Sequence, residues 1–113
     1  MKRWFSNKFL EGKELPIWKN MFERQPAKGY TGCSHAISGT DFYTSTSSLR
    51  LPTIAIAGSE DGSTPPDLVR ETCNLIPGSK FNLIKGVGHI PCVEAPRKYA
   101  RILSDFMKEI GHV

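Results

Sequence analysis

The chain has 113 residues, of which 39% are hydrophobic and 23% are charged, values that are ordinary for a single globular domain. At this length we expect one modest core that buries about two-thirds of the surface of the unfolded chain. No apolar run is long enough to span a membrane, and the first ten residues lack the apolar stretch of a signal peptide. Three widely spaced cysteines, Cys33, Cys73 and Cys92, favour free thiols. We therefore predict a cytoplasmic protein that does not associate with membranes.

The net charge of +4 is unevenly distributed along the chain. Residues 1–28 contain seven basic and three acidic side chains, and the remainder contains eight of each. We interpret this excess first as a solvated helical face, with an anionic small-molecule ligand as the alternative. Nucleic acid is not expected as a partner, because the chain has no basic run and its aromatic residues follow core-like spacings.

The first half of the chain is predicted to be helical. Ser6 is a candidate helix cap, residues 14–25 have helical periodicity, and a further helix is expected from Pro26 to Gly39. The apolar stripes of these two helices consist of Ile17, Trp18, Met21 and Phe22, and of Tyr30, Cys33, Ala36 and Ile37. Residues 40–50 are rich in hydroxyl groups and have no periodicity, which predicts a linker loop.

The second half alternates strands and helices. Strands are predicted over residues 51–58 and 80–85, and helices over residues 66–76 and 96–110, with a loop at residues 86–96. This order predicts a parallel pair joined by a right-handed helical crossover. Because parallel sheets are normally covered on both faces, two strands make only part of an α/β domain. The sheet is therefore predicted to be incomplete.

Two polar side chains follow the predicted strands at the edge where ligands of open α/β sheets gather. Asp61 comes shortly after the first strand and His89 shortly after the second, so we expect them to lie close together. A carboxylate beside an imidazole suits base catalysis, since it orients the ring and stabilises the imidazolium. Glu60 is a competing acid. The structural alternative is that Asp61 only forms a turn with Gly62 and that His89 is a solvated loop residue.

The sequence around these residues resembles a known family. The segments LPTIAIAGSEDGSTPP and GSKFNLIKGVGHIPCVEAP resemble the C-terminal part of the α/β-hydrolase fold, most closely that of the 3-oxoadipate enol-lactonases. In that family an aGxxDxxTPP loop carries an acid and a GHxxxxEaP loop carries a histidine. The resemblance implies that Asp61 is the acid of a catalytic triad and that His89 is its general base. It also implies a helical lid at residues 1–49 and the C-terminal part of the hydrolase core at residues 50–113.

The family's nucleophile is a serine in a G-x-S-x-G turn between a strand and a helix, and it precedes the acid in the chain. The only comparable sequence here is GCSHA, centred on Ser34, but no strand precedes it and it falls within a predicted helix. Cys92 shares a loop with His89 and is predicted to be a buried or half-buried thiol. We therefore expect the nucleophile to be absent from these 113 residues.

A metal site and a cofactor are not expected. The residues Cys33, His35, His89 and Cys92 form C-x-H and H-x2-C pairs, neither of which matches a standard zinc spacing. Three aromatic residues of the lid, Trp4, Trp18 and Tyr30, are candidates for substrate contacts, although packing alone also explains aromatic stripes at this spacing. The enol-lactone substrate of the family carries a carboxylate, which agrees with the basic N-terminal quarter.

The sequence thus predicts the C-terminal segment of a serine-dependent ester or lactone hydrolase that acts on a small anionic substrate. The alternative is a catalytically inactive module that depends on a partner, either a missing N-terminal half or a second copy of itself. Exposed apolar faces and an open sheet edge would both favour such association.

Overall fold

The computed structural model describes residues 1–113 and contains seven helices and two strands. Helices α1 to α4 precede the first strand, and strands and helices then alternate. The bounds are α1 Asn7–Leu10, α2 Leu15–Glu23, α3 Ala27–Ser38, α4 Tyr43–Ser47, β1 Ile54–Gly58, α5 Pro66–Asn74, β2 Lys80–Ile84, α6 Pro91–Glu94 and α7 Pro96–Glu109.

The two strands form a parallel pair, as the sequence predicted. The register runs from Ile54 opposite Lys80 to Gly58 opposite Ile84, and α5 makes the connection between the strands. Proline at the start of α5 and of α7 fits the first turn of a helix, where the N–H group has no partner. A sheet of only two strands is the incomplete α/β arrangement that was expected.

The cap predicted at Ser6 is present, because its Oγ accepts a hydrogen bond from the backbone N–H of Phe9 at 3.3 Å. Gly39 ends α3, also as predicted. The linker loop predicted at residues 40–50 was wrong in part, since α4 forms within it. Asp41 accepts a hydrogen bond from the backbone N–H of Tyr43, the first residue of α4, at 2.9 Å. This local contact stabilises the start of the helix, whereas the sequence has no apolar periodicity from which a helix could be predicted.

The predicted helical stripes are not buried. Helices α1 to α4 contain no buried residue, and Ile17 and Ile37 are 69% and 74% exposed. Helix α7 has a strongly amphipathic sequence but likewise contains no buried residue. Periodicity correctly located the helices, but the faces they present are covered only partly within this chain. The small hydrophobic core consists of Phe5, Ala57, Cys73, Ile76, Ile84 and Val87.

The segment that follows β2 was predicted to be a loop up to residue 96, and this was also incomplete. The short helix α6 forms within it, and its first residue is the buried Pro91. This helix fixes the direction of the chain between His89 and α7. None of the helices is both long and apolar enough to cross a lipid bilayer.

Candidate active site

Two loops leave the carboxyl ends of β1 and β2 and lie against each other. The backbone N–H of Ser59 donates to the carbonyl of Ile84 at 3.0 Å, and that of Glu60 donates to Val87 at 2.9 Å. Gly58 makes this approach feasible, since an added Cβ would lie within 3.0 Å of the carbonyl oxygens of the facing loop. The parallel pair and this glycine together place the two loops side by side.

Asp61 and His89 meet where these loops touch. The Oδ2 atom of Asp61 lies 2.9 Å from Nδ1 of His89. The Asp61 side chain is only 5% exposed, whereas the His89 side chain is 36% exposed. The competing acid, Glu60, has an exposed side chain with no hydrogen-bond partner in the chain. The proximity of Asp61 and His89 is therefore as expected from the strand order, while their catalytic roles stay predictions.

The other hydrogen bonds of Asp61 hold its carboxylate in place. Oδ1 accepts from the backbone N–H groups of Ser63 at 2.8 Å and of Thr64 at 2.9 Å. The Thr64 hydroxyl donates to Oδ2 at 2.9 Å. The turn that the sequence suggested as the structural alternative is therefore present. It coexists with the histidine contact, because Oδ1 accepts the backbone hydrogen bonds of the turn and Oδ2 faces His89.

The hydrogen-bond network assigns the tautomer of His89. Nδ1 faces the Asp61 carboxylate and also lies 3.1 Å from the Thr64 hydroxyl, whose proton is directed to Asp61. Both neighbours are then acceptors, so Nδ1 carries the hydrogen. Nε2 has no hydrogen-bond partner in the chain and retains its lone pair on a partly exposed ring. This arrangement can accept a proton at Nε2.

The ionisation of Asp61 reflects two opposed effects. Burial alone raises the pKa of its carboxyl group. The hydrogen bonds from His89, from the backbone of Thr64 and Ser63 and from the Thr64 hydroxyl outweigh burial, so the pKa of Asp61 is lowered below its ordinary value. Asp61 is therefore a carboxylate at neutral pH and can stabilise a positive charge on His89.

Sequence reasoning missed two residues that support this pair. Thr64 contacts both Asp61 and His89, and Glu94 accepts a hydrogen bond from the backbone N–H of Gly88 at 2.8 Å. Both lie within the loop motifs that carried the resemblance, which was the only signal for them. Residue spacing does not indicate which turn hydroxyl points toward an imidazole.

The three aromatic residues predicted to contact a substrate are placed differently from one another. Trp4 and Tyr30 both pack edge-on against Phe22, with ring centroids 5.1 and 5.7 Å away. Tyr30 is 52% exposed, and Trp4 and Trp18 are half-buried. The carbonyl of Trp4 accepts a hydrogen bond from the backbone N–H of His89 at 2.7 Å, which brings this residue beside the acid–histidine pair. Their roles in substrate binding stay predictions.

The other candidates are also placed. Ser34 lies inside α3 and donates a hydrogen bond to the carbonyl of Tyr30 at 3.0 Å, so it has no strand-to-helix turn around it. Cys92 is exposed, and the prediction of a buried or half-buried thiol was wrong, because α6 turns its side chain outward. No group of three or more histidine, cysteine or acidic side chains is arranged to hold a metal ion.

Comparison with known proteins agrees with the resemblance seen in the sequence. No protein-family model matches the chain. A 3-oxoadipate enol-lactonase of Acinetobacter baylyi is 31% identical over 110 residues, which are 96% of this chain and 41% of the relative. The chain therefore spans about two-fifths of the length of that enzyme.

Solved structures show the same relation. The enol-lactonase from Burkholderia xenovorans LB400 superposes with a TM-score of 0.88 at 24% identity, over 94% of this chain and 41% of that one. The bromoperoxidase from Bacillus anthracis gives a TM-score of 0.82 at 27% identity, over 95% of this chain and 41% of that one. The chain thus has the fold of the C-terminal part of an α/β-hydrolase, and it resembles the 3-oxoadipate enol-lactonases over nearly its whole length.

Proposed function

We propose that this chain provides the acid and the general base of a serine-dependent hydrolase that cleaves carboxylic esters or lactones. The observation that carries the proposal is the 2.9 Å contact between Asp61 and Nδ1 of His89, together with a free Nε2 at the carboxyl edge of the sheet. A solvated loop histidine would not need a buried carboxylate at its other nitrogen.

In this mechanism Nε2 of His89 removes the proton from a serine hydroxyl as the serine oxygen attacks the substrate carbonyl carbon. The imidazolium then protonates the leaving alkoxide oxygen as the carbon–oxygen bond breaks. In the second step Nε2 of His89 takes a proton from water as the water oxygen attacks the acyl carbon, and the imidazolium returns this proton to the serine oxygen as the acyl–oxygen bond breaks and the carboxylic acid leaves. Asp61 stays ionised and stabilises the imidazolium in both steps. The serine and the backbone N–H groups that hold the oxyanion come from residues outside this chain.

The proposed substrate class is a small lactone or ester that carries a negative charge. The similarity to enol-lactonases and the basic excess of residues 1–28 both support it. Residues 1–49 would form the lid over this substrate, with Trp4, Trp18 and Tyr30 as the proposed contacts. The scheme requires no cofactor, because the serine, the histidine and water supply all the atoms and protons that move.

A chimeric enzyme tests the proposal directly. The C-terminal two-fifths of the Acinetobacter enol-lactonase would be replaced by this chain, and hydrolysis of an enol-lactone and of a p-nitrophenyl ester would be measured. We expect the chimera to be active, and we expect His89→Ala or Asp61→Asn to lower kcat by about 10³–10⁴-fold. The isolated chain should show no turnover.

Glu60→Gln is the matched control, since it removes the neighbouring, uncontacted carboxylate from the same loop. It should leave kcat within about twofold, because surface changes of this kind are nearly neutral. A folded chimera whose activity survives His89→Ala would contradict the proposal, as would turnover by the isolated chain that depends on His89. Circular dichroism of each variant distinguishes a loss of chemistry from a loss of folding.

A second candidate is a non-catalytic module that associates with another copy of itself. An open cavity of about 670 Å³ favours this candidate, because it lies between α3, β1 and α5 and exposes apolar side chains that include Ile37, Leu68 and Val69. Strand β1 also has only one neighbour in the sheet. Size-exclusion chromatography at several concentrations tests this candidate, and a monomer at every concentration would exclude it.

A further inference from the structure

The carboxylate of Glu94 joins the histidine loop to the N-terminal segment, which we define as Arg3–Ser6. Its Oε1 accepts hydrogen bonds from the backbone N–H of Gly88 at 2.8 Å and from that of Ser6 at 3.1 Å. Its Oε2 accepts the Ser6 hydroxyl. Glu94 forms no ion pair, and these three donors are its hydrogen-bond partners in the chain.

The N-terminal segment in turn contacts both loops of the acid–histidine pair. The carbonyl of Trp4 accepts the backbone N–H of His89 at 2.7 Å. On the other side, the backbone N–H of Gly62 donates a hydrogen bond to the carbonyl of Arg3 at 3.1 Å, and Nε of Arg3 donates one to the carbonyl of Gly62 at 3.0 Å. The segment therefore spans the site, and Glu94 anchors its Ser6 end.

The packing around Gly88 leaves little freedom for this junction. A Cβ at Gly88 would lie 2.5 Å from the Trp4 carbonyl oxygen, 2.9 Å from the Phe5 Cα and 2.9 Å from Oε1 of Glu94. Only glycine fits where the histidine loop, the N-terminal segment and Glu94 meet. Since Ser6 is also buried, loss of the carboxylate would leave two backbone N–H groups without their partner.

We propose that Glu94 is a positioning residue for His89. It holds Gly88 against the N-terminal segment. The backbone N–H of His89 thereby keeps its hydrogen bond to the Trp4 carbonyl, and the imidazole keeps its hydrogen bond to Asp61. Glu94 does not contact the reacting atoms and acts only through His89. The catalytic meaning of this role rests on the proposed function, but the role itself is a statement about the conformation of the loop.

Amide hydrogen exchange of the full 113-residue chain, followed by NMR, tests the proposal. In Glu94→Ala we expect the amides of Gly88 and His89 to exchange at least about tenfold faster than in the wild type, since a bond to a charged acceptor is lost. Glu94→Gln should fall between the two, because its one amide oxygen still accepts a hydrogen bond. Amides of the ladder between β1 and β2 should change by less than about threefold, since they lie outside the junction.

The matched control is Glu71→Gln, which removes the same charge from an exposed position of α5 where the carboxylate makes no hydrogen bond. Its exchange rates should equal those of the wild type. The proposal is overturned if Gly88 and His89 are unprotected in the wild type, if Glu94→Ala leaves them unchanged, or if all amides accelerate equally, which would indicate only global destabilisation.

The nitrogen chemical shifts of the His89 ring give a second readout that a purely structural role would not move. We expect Nδ1 to carry the proton in the wild type and a mixture of tautomers in Glu94→Ala, since the ring would no longer be held on Asp61. An unchanged tautomer in Glu94→Ala would contradict the positioning role. Neither measurement involves a nucleophile or turnover, so the proposed hydrolase activity can fail while this inference stands, and the reverse also holds.

Discussion

The helical half of the chain, residues 1–49, and the strand–loop half, residues 50–113, differ in how they use their apolar residues. Helices α2 and α3 have apolar stripes, but neither they nor the short helices α1 and α4 contain a buried residue. In the second half, β1, β2 and the loops after them contain most of the buried residues, and they also contain Asp61 and His89. The acid–histidine pair therefore lies in the half that contains most of the core, and residues 3–6 of the other half pack against its loops. Helices α1 to α4 present surfaces for contacts beyond this chain.

The largest expected difference between the two halves is in the loss of stability when a single isoleucine is replaced by alanine. Ile84 is 1% exposed in β2 and Ile37 is 74% exposed in α3. Ile84→Ala should lower the free energy of unfolding by about 2–5 kcal/mol, since it leaves a cavity in the core. Ile37→Ala should change it by no more than about 0.5 kcal/mol. Urea denaturation of the wild type and the two variants measures both changes in the free energy of unfolding. Equal changes would show that the helical half has a core in solution.

A pair of glycines provides the next contrast. At Gly58 an added methyl group would collide with the carbonyl oxygens of Val87 and Gly88, whereas at Gly32 in α3 it would meet nothing within 4 Å. Gly58→Ala should cost about 1–3 kcal/mol through overpacking. Gly32→Ala should stabilise the chain by roughly 0.5–1 kcal/mol, because alanine favours the helix. Thermal melting tests both signs, and a harmless Gly58→Ala would mean that the loops are not in contact.

The acid contributes to stability in a manner that depends on pH. Hydrogen bonds lower the pKa of folded Asp61 below that of the unfolded chain, so its contribution is complete above the unfolded value and disappears as the pH falls through the folded value. The wild type should be more stable than Asp61→Asn at neutral pH, and the difference should vanish in acid. Urea denaturation at a series of pH values measures it. A difference between the wild type and Asp61→Asn that persists in acid would contradict the expectation.

The smallest effect concerns two threonines. The Thr64 hydroxyl donates to the buried Asp61 carboxylate, whereas that of Thr31 in α3 only bonds the carbonyl of Ala27 in its own helix. Thr64→Val should lower stability by about 1 kcal/mol, and Thr31→Val should change it by less than about 0.5 kcal/mol. Chemical denaturation of both variants would show whether hydroxyl groups matter only in the strand–loop half, and equal losses would refute that view.

Some of the site was predictable because it depends on short-range pattern and topology. Two apolar runs separated by one helix predict parallel strands, and parallel strands bring their carboxyl ends to one edge, which places Asp61 near His89. Contacts between distant parts of the chain were not predictable in this way. Glu94 and Ser6 are separated by 88 residues, and no periodicity or spacing relates them. The short helices α4 and α6 also escaped prediction, because single turns depend on local hydrogen bonds rather than on a repeat.

By itself the sequence determined where the long helices and both strands lie, which side chains follow the strands, and that the chain resembles the C-terminal part of an α/β-hydrolase. Only the tertiary structure decided which faces are buried, which nitrogen of His89 faces Asp61, and that Glu94 joins the histidine loop to the N-terminal segment. The physical reason is that secondary structure follows from neighbours along the chain, whereas burial and hydrogen-bond partners depend on which distant groups occupy the adjacent space.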